Sequence, residues 1–304
     1  MSASGILNVD KEPGLTSFQV VALVRKGTGI RRVGHAGTLD PMAGGVLLVC
    51  LGQAVRVTEY LIALPKVYRA RIVLGAATDT YDAEGQVIER GPWTHVSPQG
   101  VEEALRGFVG EIQQAPPPFS AVKVGGRPAY RMARRGQRVS LAPRMVRVYR
   151  IDLLAVAPPH LEIEVECGKG TYLRSLAHDL GRRLGCPAHL GALVRTRVGP
   201  FRVEDGVSTA ELRAALADGT WGEHLRPLDH ALLALPAVTL ELAEEQDVRH
   251  GQPVRLEPSR IPAGGECRAY GEDGALVAIL AHDPPSGLWL PRKVFSPVNG
   301  GFGP

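Results

Sequence analysis

The segment Gly34-His35-Ala36-Gly37-Thr38-Leu39-Asp40-Pro41-Met42-Ala43-Gly44-Gly45 constrains this chain more than any other. Its glycines and one proline surround a single carboxylate, and the wholly apolar run Val46-Leu47-Leu48-Val49-Cys50-Leu51 follows at once. A run of that length is a buried strand or a buried helix segment, so it anchors a glycine-rich loop that presents Asp40. Glycine lets the backbone turn tightly and approach a ligand, and Pro41 fixes the chain direction while supplying no amide hydrogen. A carboxylate held this way suits nucleophilic work at a sugar carbon. The same residues also fit an ordinary turn in which Asp40 bonds its own backbone, and the residues alone leave both readings open.

A length of 304 residues fits one large domain plus a small one. Hydrophobic residues make up 44% of the chain but aromatics only 5%, so aliphatic side chains must fill the core. The apolar runs are far too short for a membrane span. Asp10 and Lys11 arrive before any signal-like stretch, which points to a cytoplasmic protein with no membrane association. Cys50, Cys167, Cys186 and Cys267 have neither zinc-ribbon spacing nor disulfide-framework density, and read as lone thiols in a reducing compartment.

Charge is more informative in its distribution than in its sum. Residues 123–150 hold nine basic side chains and no acid, so the overall +4 leaves the rest of the chain at −5. Solvated faces usually mix signs; a concentrated basic segment on a mildly acidic chain is the footprint of a polyanion-binding protein. Arginine dominates the segment, and its fork suits phosphate. Lys123, Arg127, Arg131, Arg134 and Arg135 are the expected contacts to an RNA backbone.

Ile6 to Asp10 reads as a short strand, and Ser17 as the N-cap of a helix running to about Lys26 and stopped by Gly27. Over residues 67–74, Tyr68, Ala70, Ile72 and Leu74 share one face and Arg69 and Arg71 the other, which puts Tyr68 on the apolar side of a sheet. Ser97-Pro98 opens a helix ending near Gly107. Ala115 to Ser120 is a proline-rich connection into the basic segment, where Tyr130, Met132 and Ala133 could line a short helix. Leu161, Ile163, Val165 and Cys167 alternate with three glutamates in a strand that Gly168-Lys169-Gly170-Thr171 breaks. A helix follows from about Tyr172 to Leu184, with Gly185 as terminator. The turn resembles a phosphate loop but lacks Walker spacing, so it implies no nucleotide triphosphate; its helix N-terminus could hold an RNA phosphate. Ser208 to Glu211 is a capping box. From Leu235-Pro236 onward the chain is short-stranded and turn-rich, so residues 1–235 form one unit and 236–304 a small β module.

Several segments together resemble the TruB family of tRNA pseudouridine synthases: Asp10-Lys11-Glu12-Pro13-Gly14-Leu15-Thr16-Ser17, the Asp40 loop, Lys66-Val67-Tyr68-Arg69-Ala70, Pro117 to Lys123, Gly168 to Ser175, and Ala188-His189-Leu190 to Arg195-Thr196. Order and spacing agree over roughly the first two-thirds of the chain. The resemblance implies an α/β fold, with a mixed sheet flanked by helices and a small PUA-like β module behind it. It implies conversion of a T-loop uridine of tRNA, conventionally number 55, into pseudouridine, with tRNA as the partner and no cofactor or metal. No obligate protein partner and a monomeric state are expected.

By the same resemblance Asp40 is the catalytic carboxylate, and Arg174 the cation that keeps it ionised where burial alone would raise its pKa. Tyr68 stacks on the target uracil, with a hydroxyl that could assist proton removal; its alternative is plain core packing. Tyr172 and Leu193 line the base pocket, though an apolar helix residue such as Leu193 is usually packing. His35 fills the space left by the extruded base, a loop histidine of structural role being the alternative. The chain departs from the family pattern in placing Pro13 one position late, in Gly44 where Thr or Ser is common, in Phe119 for a frequent tyrosine, and in Val194 within a frequent Leu-Arg-Arg run. None of these removes a chemical group. Two further readings share the basic segment: a tRNA-folding helper without catalysis, and a ribosomal-RNA-directed synthase.

Overall fold

The computed structural model describes residues 3–296, apart from 121, 125–126, 129–131, 133–140 and 262–263. The strands before the C-terminal module are β1 (Gly5–Lys11), β2 (Val33–His35), β3 (Gly44–Leu51), β4 (Lys66–Leu74), β5 (Ala76–Thr78), β6 (Val87–Arg90), β7 (Gly110–Gln114), β8 (Lys123–Val124), β9 (Arg127–Pro128), β10 (Arg144–Ala157), β11 (His160–Cys167), β12 (Ala188–Val198), β13 (Phe201–Arg202), β14 (Val207–Ser208) and β15 (Leu225–Arg226). The α-helices there are α1 (Ser17–Thr28), α2 (Thr58–Ala63), α3 (Pro98–Arg106), α4 (Leu173–Arg183) and α5 (Thr209–Asp218). One mixed sheet runs β14-β1-β3-β12-β4-β11-β10-β7, with β2, β13 and β15 on its flanks.

Hydrophobic pattern fixes how much of each strand is covered. β3 is apolar throughout because both its faces are buried: Leu47, Val49 and Leu51 join the core under α1, α3, α4 and α5, while Val46, Leu48 and Cys50 join a second core with Ala54, Val57 and Leu61. β11 alternates because only one face is covered. Leu161, Ile163, Val165 and Cys167 enter the helix-side core, and Glu162, Glu164 and Glu166 pair outside with Arg71, Arg150 and Arg197. Tyr68, Ala70, Ile72 and Leu74 lie on the helix-covered face, as their alternation predicts. The membrane expectation meets one direct observation: among the described residues no helix is long and apolar enough to cross a bilayer.

Two boundaries differ from the sequence expectation. Thr16, not Ser17, caps α1, in a reciprocal capping box with Gln19. Ser17 turns inward instead: its Oγ donates to the Leu39 carbonyl at 3.1 Å and accepts from the Leu39 N–H at 2.9 Å. The helix then runs through Gly27 to a left-handed Gly29. Gly27 is present because α5 crosses there; a Cβ on it would stand 2.7 Å from Leu216 Cδ2.

The seam between β3 and β12 positions the site. These two strands run parallel and meet only at Val194↔Gly44 and Arg195↔Gly45. Arg195 in turn faces Tyr68 of β4, so Gly45, Arg195 and Tyr68 form one row across three strands. Gly45 has φ +94°, and a Cβ there would overlap the Arg195 carbonyl oxygen. Gly45→Ala should therefore destabilise the protein by about 3 kcal/mol, from the left-handed penalty plus overpacking against immobile backbone. Urea unfolding checks this; a loss under about 1 kcal/mol would mean the seam can open.

The C-terminal module contains β16 (Ala237–Thr239), α6 (Leu242–Arg249), β17 (Glu266–Tyr270), β18 (Leu276–Asp283) and β19 (Leu288–Val294), in the sheet order β16-β17-β18-β19. Its core is built on Val238, Leu240, Cys267, Leu280 and Trp289. Ile279 and Phe295 enter the second core, and Tyr270 donates to Asp229 at 2.8 Å, so the module is seated on the large sheet's outer face.

Candidate active site

Asp40 sits between two residues that the opening motif ties down. On one side Leu39 is held by Ser17. On the other the Pro41 carbonyl accepts from the Gly14 N–H at 2.8 Å and from Lys11 Nζ at 3.3 Å. Lys11 Nζ also donates to the carbonyls of Glu12 at 3.0 Å and Leu15 at 2.7 Å. Lys11 is fully buried, and burial together with the Arg195 charge pushes its ammonium down to about 8. Two departures from the family pattern meet here: a Cβ on Gly44 would lie 3.5 Å from Pro13 Cδ and 3.3 Å from the Lys11 carbonyl oxygen. The displaced proline thus occupies the space beside the small residue.

Arg174, in the first turn of α4, grips the carboxylate. Its Nη2 donates to Asp40 Oδ1 at 3.1 Å, and its Nε stands 2.9 Å from Oδ2 as an ionic contact not aligned as a hydrogen bond. Nη2 also donates to the Phe119 carbonyl at 3.1 Å and Nη1 to the Thr80 carbonyl at 3.3 Å. The Arg174 side chain is 7% exposed and that of Asp40 33%. The expectation of a buried carboxylate is thereby corrected. The guanidinium is the buried partner, and Asp40 is the more exposed of the two.

A residue that sequence reasoning passed over completes the grip. Asp82 Oδ2 lies 3.4 Å from Arg174 Nη1, with a side chain only 5% exposed. Asp82 Oδ1 accepts from Thr80 Oγ1 at 2.6 Å and from the Glu84 N–H at 3.1 Å. The two carboxylates engage different N–H groups of one guanidinium, so Asp82 braces Arg174 while Asp40 remains accessible. The available signal was Asp79-Thr80-Tyr81-Asp82-Ala83-Glu84-Gly85, which places three carboxylates in one tight turn. Arg195 was passed over likewise. It is 1% exposed, and its Nε and Nη2 donate to the carbonyls of Val46 at 2.7 Å and Gly37 at 3.1 Å, fastening both ends of the Asp40 loop.

The other expected residues are placed as follows. The Tyr68 ring is buried on β4, and burial pushes its phenol above the ordinary value, with the Asp40 charge acting in the same direction. A resting phenolate is thereby disfavoured. Tyr172 is half-buried just before α4; Gln114 fixes its backbone, with Nε2 donating to the Tyr172 carbonyl at 3.0 Å and Oε1 accepting from its N–H at 2.8 Å. Burial raises the Tyr172 phenol as well.

Leu193 is on a strand, not on a helix: it belongs to β12, opposite Ala70, and is 6% exposed in the same core as Tyr68. His35 ends β2, with Nδ1 buried and without a hydrogen-bond partner among the described residues. Burial, reinforced by the Arg195 charge, lowers its pKa and so favours the neutral imidazole. Of the expected RNA contacts, Arg131, Arg134 and Arg135 lie outside the described residues, as does the expected helix around Tyr130 and Ala133. The backbones of Lys123 and Arg127 form the β8–β9 pair, but their side chains lie outside the described set. The root of that segment is well fixed: Ser175 Oγ donates to the Ala115 carbonyl at 2.7 Å, and Arg174 holds Phe119.

A glycosidase that inverts or retains needs two carboxyl groups flanking its substrate. This site offers one partly exposed carboxylate, Asp40, gripped by a buried guanidinium near the seam of a mixed sheet, and the comparisons with known proteins assign the class as pseudouridine synthase. Residues 25–173 match the TruB family pseudouridylate synthase N-terminal domain, and residues 174–233 the tRNA pseudouridylate synthase B C-terminal domain. The chain is 43% identical over 291 residues to tRNA pseudouridine synthase B of Dehalococcoides mccartyi strain BAV1, covering 96% of each chain. It is 46% identical over 250 residues to the Symbiobacterium thermophilum protein of that name, covering 81% of this chain and 82% of that one. Among solved structures it resembles a Cbf5–Nop10–Gar1 complex, with a TM-score of 0.74 at 30% identity over 96% of this chain and 85% of that one. A second is an H/ACA RNP bound to a substrate RNA containing 2′-deoxyuridine, with a TM-score of 0.72 at 28% identity and the same coverage. The chain belongs to the TruB family.

Proposed function

We propose that this protein isomerises uridine to pseudouridine in tRNA, at the T-loop uridine conventionally numbered 55, with Asp40 acting at the ribose. The observation that carries the reading is the grip of a buried guanidinium on both oxygens of a partly exposed carboxylate. The N1–C1′ bond breaks with its electron pair passing to the uracil. The base turns, C5 bonds to C1′, the C5 proton is lost and N1 takes one up, so the product is an isomer of the substrate. Nothing is consumed, so the protein's work is to hold the base and stabilise charge at the sugar. Two routes use the same carboxylate. In one Asp40 bonds to C1′; in the other it takes the C2′ proton to leave a glycal. Deuterium at C2′ separates them, because only the second gives a primary isotope effect.

The target must leave its stack, which costs a few kcal/mol. Tyr68 supplies a flat surface for the extruded uracil, Tyr172 and Leu193 its surroundings, and neutral His35 a filler for the vacated space. The phosphates fall to Lys123, Arg127, Arg131, Arg134 and Arg135, on a segment rooted at Arg174 through Phe119. The unit of residues 1–235 carries the chemistry, and the module of 236–304 supports it from the opposite face of the sheet.

Unmodified tRNA transcript incubated with the purified protein alone should acquire one pseudouridine, in the T-loop. Its absence, or its appearance only in ribosomal RNA with added proteins, would refute the reading. Affinity for the transcript should fall about 100- to 1,000-fold between about 0.05 and about 0.2 M salt if five cations grip phosphates. A flat salt response would remove the segment from the interface.

A further inference from the structure

The turn that carries Asp82 has an unusual member. Tyr81 has φ +66°, the one described non-glycine residue at positive φ. Side chains are rarely found there, and such strain persists only where surrounding structure enforces it. Here the enforcement is visible on both the backbone and the ring. The Tyr81 N–H donates to the Thr78 carbonyl at 3.2 Å, and the Tyr81 carbonyl accepts from the Leu190 N–H of β12 at 3.0 Å. The ring lies flat on His178, with centroids 4.0 Å apart and planes 5° from parallel.

His178 is four residues beyond Arg174 on α4, so both project from one face of that helix. The same helix thus takes hold of the same turn at two successive points. Arg174 takes the Thr80 carbonyl and Asp82 Oδ2, and His178 takes the ring of the residue between them. Thr80 closes the arrangement by donating its hydroxyl to Asp82 Oδ1. Neither Tyr81 nor His178 contacts Asp40. The stack reaches the site most directly through Asp82 and Arg174, the Tyr81 carbonyl being tied separately to Leu190 of β12.

We propose that Tyr81 is a positioning residue for the isomerisation, with His178 as its platform: the stack holds the left-handed turn in the one conformation that aims Asp82 at Arg174 and so fixes the guanidinium on Asp40. The inference rests on the proposed function, and its test separates the two. Misplacement of a reacting group by an ångström costs up to about 100-fold in rate. Tyr81→Ala should accordingly lower kcat by about 10- to 100-fold, with KM for tRNA within about threefold of wild type, because no RNA contact is lost. Tyr81→Phe, which keeps the stack, should recover most of the rate. His178→Ala should reproduce the kcat loss from the helix side, and the double variant should be no slower than the slower single one, since both remove one contact.

A mere packing role predicts something different: a lower melting temperature, with normal kcat for the protein that remains folded. That result in Tyr81→Ala, or in His178→Ala where the tyrosine variant does not fold, overturns the inference. So does a loss confined to KM, or a Tyr81→Phe variant as slow as Tyr81→Ala. If wild type is active, Asp40→Asn is dead and both stack variants turn over normally, the proposed function stands and this inference alone falls. If wild type forms no pseudouridine, both fall.

Discussion

Asp40→Asn is expected to lower single-turnover pseudouridine formation by at least about 10,000-fold, the scale on which removal of an activated nucleophile is felt. Asparagine has nearly the shape of aspartate, so the loop should survive: Lys11, Ser17 and Arg195 hold it through backbone groups of Leu39, Pro41, Gly37 and Val46, none of which changes. What changes is charge and donor pattern. One of the two oxygens at Arg174 becomes an NH2 group, which places donor against donor at Nη2 or at Nε. No negative charge then faces the ribose as the glycosidic bond opens, and the amide neither bonds to C1′ nor removes a C2′ proton. Affinity for tRNA should stay within about threefold, since the proposed phosphate contacts are on other residues. A variant that binds tRNA normally and retains more than a few per cent of the wild-type rate would exclude Asp40 from the chemistry.

The parts of this arrangement legible in the sequence are those that depend on local pattern. The unbroken apolar run of β3 and the strict alternation of β11 foretell two-sided and one-sided burial, and the Ser208–Glu211 box foretells a helix start. β12 was opaque because its register slips twice, between Leu190 and Ala192 and between Arg195 and Arg197, which scrambles the alternation that marks a strand. Leu193 consequently read as a helix residue. Gly27 misled for a related reason: its smallness serves a helix crossing, a tertiary fact invisible along the chain, while the true stop two residues on is marked by its left-handed backbone.

The site was half legible on the same grounds. Asp40, Arg174 and Tyr68 lie in segments whose order and spacing match a family, and the structure puts Asp40 and Arg174 in contact. Asp82 and Arg195 depend on contacts across large sequence separations, the first bracing a helix residue 92 positions later in the chain, the second a loop 149 positions earlier. In the sequence Arg195 stands out only as part of a matched segment, with no role attached. Burial turns it into a fastening for the loop.

Arg174→Lys should show how much Asp82 matters, because it leaves that carboxylate stranded. The guanidinium serves Asp40, Asp82, Thr80 and Phe119 at once, through N–H groups diverging from a rigid plane. A lysine ammonium is a single point at the end of a flexible stem and cannot span them. We expect kcat to fall about 1,000-fold, comparable to loss of a preorganised electrostatic contact. Stability should fall by about 3 kcal/mol, the usual cost of leaving a buried ionic group without its partner. Most of that stability loss is assigned to Asp82, whose side chain is 5% exposed, rather than to Asp40, which water can reach. The assignment has a sign that urea unfolding can read. Adding Asp82→Asn to Arg174→Lys removes the stranded charge, so the double variant should be more stable than Arg174→Lys alone, by about 1 kcal/mol or more. Its activity should not return, since the grip on Asp40 is still missing. If the two substitutions instead add, each lowering stability by its own amount, Asp82 is not the partner that the buried guanidinium compensates, and the bracing role assigned to it fails.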